Sequence, residues 1–306
     1  MIMSRVVQYS SYGGPEVLKI AEVEEPQADG SQVRIAVRSA GLNAFDSKAR
    51  SNPAMLPDRV LPAGQGSEFA GVVDQVGAEV TNLMVGDEVL GWINSGAQAD
   101  YVVVASTNMT LKPKGLDWPT AGAIGLVGNT AKRAVDTVAP LPGETVLVSA
   151  AAGGVGLFAA QYAMLAGAKV IGTASEVDHE FLRTLGIEPL SYGPGLVDRL
   201  RAVAPQGIDA VLDSAGRDTV EAALQVGVAA SRINSVVYFD GKAKYGISTV
   251  GAGGKTGTGL AELAQLVSSG AFVMPIAGAF VLADVRAAYE MLETHHTPGK
   301  IVLTLP

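Results

Sequence analysis

Residues Ala151-Ala152-Gly153-Gly154-Val155-Gly156 constrain the fold of this chain more than any other stretch. The run Thr145-Val146-Leu147-Val148-Ser149 leads into them. A helix-compatible run from Leu157 to Ala166 leads out, and a second apolar run, Lys169-Val170-Ile171-Gly172-Thr173, follows. Strand, small-residue turn, helix and strand in that order make the first half of a βαβ unit of the dinucleotide-binding kind. The turn demands small residues because phosphate oxygens must reach backbone amides at the helix N-terminus. Those amides lack intrahelical partners, and the helix dipole favours an anion there. The pattern departs from G-x-G-x-x-G, with Ala151 in place of the first glycine. Gly153 is expected to let the backbone approach a pyrophosphate, with Ala152, Gly154 and Val155 beside it. Gly156 is expected to let the helix lie close to the strand. A tight turn in a buried α/β unit with no ligand accounts for the same letters.

No charged residue occurs from Thr145 to Ala168, a length that would span a bilayer as one helix. The β-branched start, the Gly-Gly break and Gln161-Tyr162 favour a buried strand followed by a helix packed on a sheet. The N-terminus, Met1-Ile2-Met3-Ser4-Arg5, lacks the apolar core of a signal peptide. At 306 residues, with 48% apolar and 17% charged residues, the chain has material for a large core and two domains. A net charge of -8 and the lack of any basic run argue against a nucleic-acid surface. The chain has no cysteine, which excludes disulfides, thiolate nucleophiles and Cys-ligated zinc. A soluble, cytoplasmic protein with no nucleic-acid or membrane partner is expected.

The first third reads as β-rich. Strand-like runs fall at Arg5–Tyr9, Val17–Val23, Gln32–Ser39, Glu68–Val76, Glu88–Trp92 and Ala99–Val104, separated by glycine turns. Strands this short and this spaced suggest a small barrel or sandwich. Trp118 to Thr137 reads as helical, and Pro140-Leu141-Pro142-Gly143 punctuates the chain before the Thr145 strand. Strands then alternate with helices, which predicts a parallel sheet with helices on both faces. The later strands are expected at Ala210–Asp213, Arg232–Tyr238 and Val273–Ile276. The helices are expected at Glu176–Leu185, Gly195–Val203, Thr219–Gly227 and Leu260–Ser268. An amphipathic helix from Ala283 to Thr294 and a final strand from Gly299 to Leu303 end the chain.

In a nucleotide-binding βαβ unit an acid after the second strand accepts from the ribose 2′-OH and repels a 2′-phosphate. Here that strand ends Gly172-Thr173-Ala174-Ser175-Glu176. Ala174 leaves space and Ser175 offers a donor to phosphate, which favours NADP(H). Glu176 weakens or reverses the preference if its side chain enters the site. Ser175-Glu176 also reads as an ordinary helix cap with an acidic first turn.

Other segments share an order and spacing with the glycine turn. They are Gly41-Leu42-Asn43 with Asp46, Gly71-Val72-Val73 with Val76-Gly77, Val85-Gly86-Asp87-Glu88-Val89, Ala97-Gln98-Ala99-Asp100-Tyr101 and Gly299-Lys300-Ile301-Val302. On these segments the chain resembles, end to end, the medium-chain dehydrogenase/reductase superfamily, in its zinc-free quinone oxidoreductase (zeta-crystallin-like) branch. The resemblance implies an α/β protein: a GroES-like β-rich substrate domain, residues 1–124 with 272–306 returning to it, and a Rossmann doubly wound parallel-sheet domain, residues 125–271. It also implies a homodimer paired through the Rossmann sheets, with residues 245–276 as the candidate surface. In zinc-dependent relatives Asp46 would be a cysteine and Ser67 a histidine. The third ligand would be another cysteine, so no metal site is expected.

Carried over by resemblance, Asn43 would lie close to nicotinamide and substrate, and Thr130 at the nicotinamide end. Gly153, Gly154 and Val155 would meet the pyrophosphate. Ser175 and Tyr192 would hold the adenosine 2′-phosphate. Val237, Tyr238 and Phe239 would end a strand and hold the carboxamide through backbone groups. Asn43 and Thr130 also read as turn and helix residues serving local backbone, and Tyr192 as a half-buried rim residue. His179 stands near the nucleotide-specificity strand. His295-His296 reads as an exposed helix end. The expected activity is NADPH-dependent, zinc-independent reduction of quinones or α,β-unsaturated carbonyls, a small electrophilic substrate accepting hydride. An enoyl-thioester reductase and a non-catalytic NADPH-binding protein are the alternatives.

Overall fold

A computed structural model describes residues 3–251, 259–294 and 298–306. In chain order the elements begin with β1 (Met3–Tyr9), β2 (Lys19–Glu24), β3 (Gln32–Gly41), α1 (Ala44–Ser51), β4 (Ala63–Gly64), β5 (Glu68–Val76), β6 (Glu88–Trp92), β7 (Tyr101–Ala105) and β8 (Met109–Leu111). Next come α2 (Trp118–Ala121), α3 (Gly125–Val138), β9 (Thr145–Val148), α4 (Gly154–Leu165), β10 (Lys169–Ala174), α5 (His179–Thr184), β11 (Glu188–Ser191) and α6 (Leu196–Val203). The rest are β12 (Ala210–Asp213), α7 (Arg217–Gln225), β13 (Ile233–Ser235), α8 (Gly241–Tyr245), α9 (Leu260–Ser268), β14 (Ile276–Val281), α10 (Val285–Thr294) and β15 (Lys300–Thr304).

The chain divides into two compact units. The first holds Met1–Leu126, Lys255–His296 and Lys300–Pro306; the second holds Val127–Gly254 and Thr297–Gly299. Helix α9, which the sequence reading places with the nucleotide-binding domain, falls in the first unit, where it packs on β8.

The first unit is the GroES-like, β-rich one. Strand β3 organises it. One side of β3 pairs along its length with β5, and the other side is shared between β7 and β15, all antiparallel. Strand β14 then adds in parallel to β15, and β6 and β8 extend the sheet beyond β5. Along β3 buried residues alternate with partly exposed ones until Ser39, after which every residue is buried. A period of two is expected of a strand with one wet face, and continuous burial of one covered on both faces. Val33, Ile35, Val37, Phe69, Val73 and Val102 are among the core side chains beneath it.

The second unit is the Rossmann-type one: a five-stranded parallel sheet in the order β11-β10-β9-β12-β13. The order reverses between β9 and β12, and open α/β sheets take ligands at that switch point, outside the carboxyl ends of the strands. Helix α4, next to it, is buried from Gly156 to Ala163, so an uncharged sequence suits it without any membrane. No helix among the described residues is long and apolar enough to cross a membrane.

Five expected elements differ, each for a local reason. The strand begun at Val17 starts at Lys19, because Pro15 opens a 3-10 turn over Pro15–Val17. The helix from Trp118 splits at Gly122. A Cβ there would lie 2.4 Å from Ser39 Oγ and 2.8 Å from the Ser39 carbonyl carbon, so the backbone passes against β3. The helix begun at Glu176 is a 3-10 turn, Glu176–Asp178, before α5. The strand expected over Arg232–Tyr238 stops at Ser235, whose hydroxyl accepts from Val237 N (3.3 Å) and Tyr238 N (2.9 Å). The strand expected at Val273–Ile276 begins only at Ile276, since Pro275 has no N–H for a ladder. At the outer edge of β13, Asn234 bridges Ser248. The candidate dimer surface includes residues 252–258, which lie outside the described residues, as do His295 and His296.

Candidate active site

In the second unit the β9–α4 turn is held in a conformation that only small residues fill. Ala150 sits at a φ of 49°, uncommon for a residue with a Cβ. Its carbonyl accepts from Gly153 N at 2.9 Å, and Ala151 N donates to Thr173 O at 2.9 Å. Gly299 N donates to the Ala152 carbonyl at 2.8 Å. The two motif glycines differ in kind. A Cβ on Gly156 would stand 2.2 Å from Ala150 O and 2.8 Å from Ser149 O, both backbone, so Gly156 is required for helix packing. A Cβ on Gly153 would meet only Ala150 O, at 3.4 Å. The space over Gly153 is therefore open, and Gly153 caps α4 without any side chain over the first-turn amides. An open cradle at a helix N-terminus fits a nucleotide pyrophosphate.

The ends of β9, β12 and β13 are tied by residues that the sequence reading missed. Ser149 Oγ donates to Asp213 Oδ1 (2.6 Å) and accepts from Ser214 N and Ala215 N. Asp213 also accepts from Gly216 N (3.0 Å) and from Ser235 Oγ (2.5 Å). The visible signal was an acid closing an apolar strand ahead of Ser214-Ala215-Gly216. This knot also corrects the expectation that Val237, Tyr238 and Phe239 end a strand. They follow β13 in a turn, and the Val237 and Tyr238 amides are spent on Ser235. Phe239 is exposed.

At the end of β10, Ala174 is buried and Ser175 Oγ donates to Asp178 Oδ2 at 3.0 Å. Glu176 turns toward the end of β11, where its Oε1 accepts from Ser191 Oγ at 3.4 Å. Tyr192 follows Ser191 and is half exposed. Arg199 fixes this loop by donating to the carbonyls of Ser191, Tyr192, Gly193 and Pro194. Ser175 and Tyr192 thus stand at adjacent strand ends, with the Glu176 and Asp178 carboxylates beside Ser175 and the Arg199 guanidinium beside Tyr192. His179 Nε2 is buried, with no partner among the described residues. Thr130 is buried on α3.

The first unit holds a buried polar cluster around the start of α1. Asn43 and Asp46 form a capping box, with Asp46 Oδ2 accepting from Asn43 N at 3.0 Å. Beyond that local role, Asn43 Nδ2 donates to Glu68 Oε1 at 3.0 Å, and Asn43 Oδ1 accepts from Lys300 Nζ. Lys300 also donates to the Leu42 carbonyl and lies 2.7 Å from Glu68 Oε1. Glu68 Oε2 accepts from Leu126 N at 2.8 Å. Glu68 is wholly buried, and Gly41 is what admits it, since a Cβ there would stand 2.4 Å from Glu68 Oε1. Ser67 Oγ donates to Asp46 Oδ1 at 2.6 Å. Deeper in, the Tyr289 hydroxyl accepts from Gln98 Nε2 and is held neutral by burial and by the charge of Asp46.

Burial pushes the Asp46 carboxyl from its usual 3.8 to about 6. Glu68 adds to the rise, while Ser67, Lys300 and Asn43 oppose it. The native state therefore keeps a proton that the unfolded chain has released. Stability is expected to fall as pH rises from 3.8 to about 6 and to be flat above. The loss attributable to Asp46 is about 3 kcal/mol. Urea unfolding of wild type and Asp46→Asn across this window measures it; a difference that does not change with pH contradicts it.

These residues do not fit a zinc ion. Both Asp46 oxygens accept from protein donors, and both Glu68 oxygens do too, with an ammonium against one of them. Among the described residues no three His, Cys, Asp or Glu side chains gather to hold a metal.

Comparison with known proteins agrees with this architecture. Residues 29–143 match the alcohol dehydrogenase GroES-like domain, and residues 188–303 match the family described as zinc-binding dehydrogenase. A quinone oxidoreductase of Pseudomonas aeruginosa is 38% identical over 228 residues, 72% of this chain and 70% of that protein. The chloroplastic NADPH-dependent alkenal/one oxidoreductase of Arabidopsis thaliana is 31% identical, over 96% of this chain and 78% of that one. Among solved structures, the quinone oxidoreductase of Coxiella burnetii superposes with a TM-score of 0.90 at 30% identity, over 100% of both chains. The Escherichia coli quinone oxidoreductase complexed with NADPH gives 0.87 at 27%, over 99% of this chain and 100% of that chain. A GroES-like unit and a Rossmann unit carrying this glycine turn define an oxidoreductase of the two-domain dehydrogenase class. Within it the chain belongs to the medium-chain dehydrogenase/reductase superfamily, in the quinone oxidoreductase branch.

Proposed function

We propose that this protein is an NADPH-dependent, zinc-independent reductase of quinones or α,β-unsaturated carbonyls. The observation that carries the reading is the Asn43–Lys300–Glu68 cluster. Where zinc-dependent relatives resemble this chain but hold a metal, it places an amide donor and a closed carboxyl–hydroxyl pair. An electrophile that already accepts hydride readily needs no Lewis acid. One oriented donor to the oxygen on which charge develops is sufficient help, whereas alcohols and simple ketones need stronger polarisation. The nicotinamide, when bound, supplies the hydride. Gly153 and the first turn of α4 would take the dinucleotide's pyrophosphate, and Asn43 would donate from Nδ2 to the substrate oxygen. Relatives whose names specify NADPH or alkenal/one reduction support the same reading.

Cofactor choice follows from the end of β10. Ser175 can turn its one hydroxyl hydrogen from Asp178 Oδ2 to a 2′-phosphate, a contact of about 1.5–3 kcal/mol when charge-assisted, less the bond given up. The Glu176 and Asp178 carboxylates offset part of it. NADPH is therefore expected to bind on the order of 10-fold tighter than NADH, and Glu176→Gln to widen the gap. Fluorescence titration of both cofactors, with turnover of an enone measured in the presence of a chelator, tests the reading. Equal or tighter NADH binding overturns the cofactor assignment. Loss of turnover on chelation, restored by zinc, overturns zinc independence.

A further inference from the structure

We propose that Lys300 is a positioning residue: with Glu68 it fixes which atom of the Asn43 amide faces the substrate. The inference rests on the reading of Asn43 as the donor to the hydride acceptor. An asparagine amide is nearly symmetric in shape, so packing alone does not distinguish its oxygen from its nitrogen. Charge does. The Lys300 ammonium has hydrogens only to give, and it claims Asn43 Oδ1. The Glu68 carboxylate only accepts, and it claims Asn43 Nδ2 at 3.0 Å. Flipping the amide would set Nδ2 against an ammonium and Oδ1 against a carboxylate, two mismatches in a site where neither charge meets water. Lys300 and Glu68 are 4% and 0% exposed.

Every other hydrogen in the trio is already committed. Lys300 gives its three to Leu42 O, Asn43 Oδ1 and Glu68 Oε1. Glu68 receives Leu126 N on its second oxygen. One Asn43 Nδ2 hydrogen goes to Glu68, and the other has no acceptor among the described residues and is left for a ligand oxygen. Lys300 therefore has no hydrogen left for substrate in this arrangement and acts through Asn43.

The test is steady-state NADPH oxidation with an enone and with 1,4-naphthoquinone for Asn43→Ala, Lys300→Met, Lys300→Arg and the double variant Asn43→Ala/Lys300→Met, together with NADPH affinity by fluorescence. Lys300→Met is expected to lower kcat by on the order of 10- to 100-fold with NADPH affinity unchanged. It should add less than about 2-fold in the Asn43→Ala background, because both changes remove the same donor. Lys300→Arg should recover most of the loss. Should Lys300→Met fail to fold with Glu68 left buried and unpaired, Lys300→Met/Glu68→Gln removes both charges together and takes its place, with the same expected loss. Full activity of Lys300→Met or of Lys300→Met/Glu68→Gln, or an undiminished effect of Lys300→Met without Asn43, overturns the positioning role. An Asn43→Ala enzyme as active as wild type overturns the underlying reading instead.

Discussion

Gly156→Ala is expected to lower stability by about 2–3 kcal/mol and to abolish tight cofactor binding, whereas Gly153→Ala spares stability and loses only the cofactor. The difference lies in what each new methyl meets. At Gly156 it is driven into the carbonyls of Ala150 and Ser149, at 2.2 and 2.8 Å. Neither can yield, because Ala150 already holds a strained φ of 49° and its carbonyl anchors Gly153 N. Helix α4 must lift away from β9, and the first-turn amides move with it. At Gly153 the methyl finds a single protein atom at 3.4 Å, ordinary packing. It fills the open space in which a phosphate would lie, so affinity for NADPH is expected to fall by more than about 10-fold while the unfolding free energy stays within about 1 kcal/mol of wild type. Thermal unfolding with and without NADPH separates the two. A Gly153→Ala protein stabilised by NADPH as wild type is would mean that the turn holds no phosphate.

The second large effect is expected at Asn43. Asn43→Ala removes the one amide hydrogen left for substrate, and kcat/KM for an enone should drop by about 1–3 kcal/mol, or roughly 5- to 150-fold. NADPH affinity should not change, because the groups assigned to the pyrophosphate belong to the β9–α4 turn. The variant also loses its bonds to the buried Lys300 and Glu68 and its part of the capping box, at a cost of about 2–3 kcal/mol of stability. Activity is therefore compared well below the unfolding temperature. An unchanged kcat/KM would reduce Asn43 to a turn residue.

The parts of this molecule legible in its sequence are those whose cause is local. The turn from Ala151 to Gly156 announces itself because its requirement, no Cβ at 156 and open space at 153, is written in consecutive letters. The alternative reading of Asn43, a residue serving local backbone, is also visible in the structure, where Asn43 caps α1. The cluster that gives Asn43 its orientation was not legible. Glu68 and Lys300 come from distant strands, and Lys300 beside Ile301-Val302 reads as an ordinary strand lysine until β15 is paired with β3. The strand ends failed for a similar reason. Nothing in Arg232–Tyr238 shows that Ser235 will be drawn to Asp213 and will then capture the next two amides. Gly122 reads as a helix residue until Ser39 is seen against it.

The central claim is hydride transfer from a nicotinamide to an activated carbon without a metal. The most direct test is to supply NADPH deuterated at the transferable C4 position with an α,β-unsaturated ketone, in the presence of a chelator. The product is then examined by mass spectrometry and NMR. One deuterium at the carbon β to the carbonyl is the expected result. Failure to oxidise NADPH with any quinone or enone, or reduced product carrying no deuterium from the cofactor, would contradict the account.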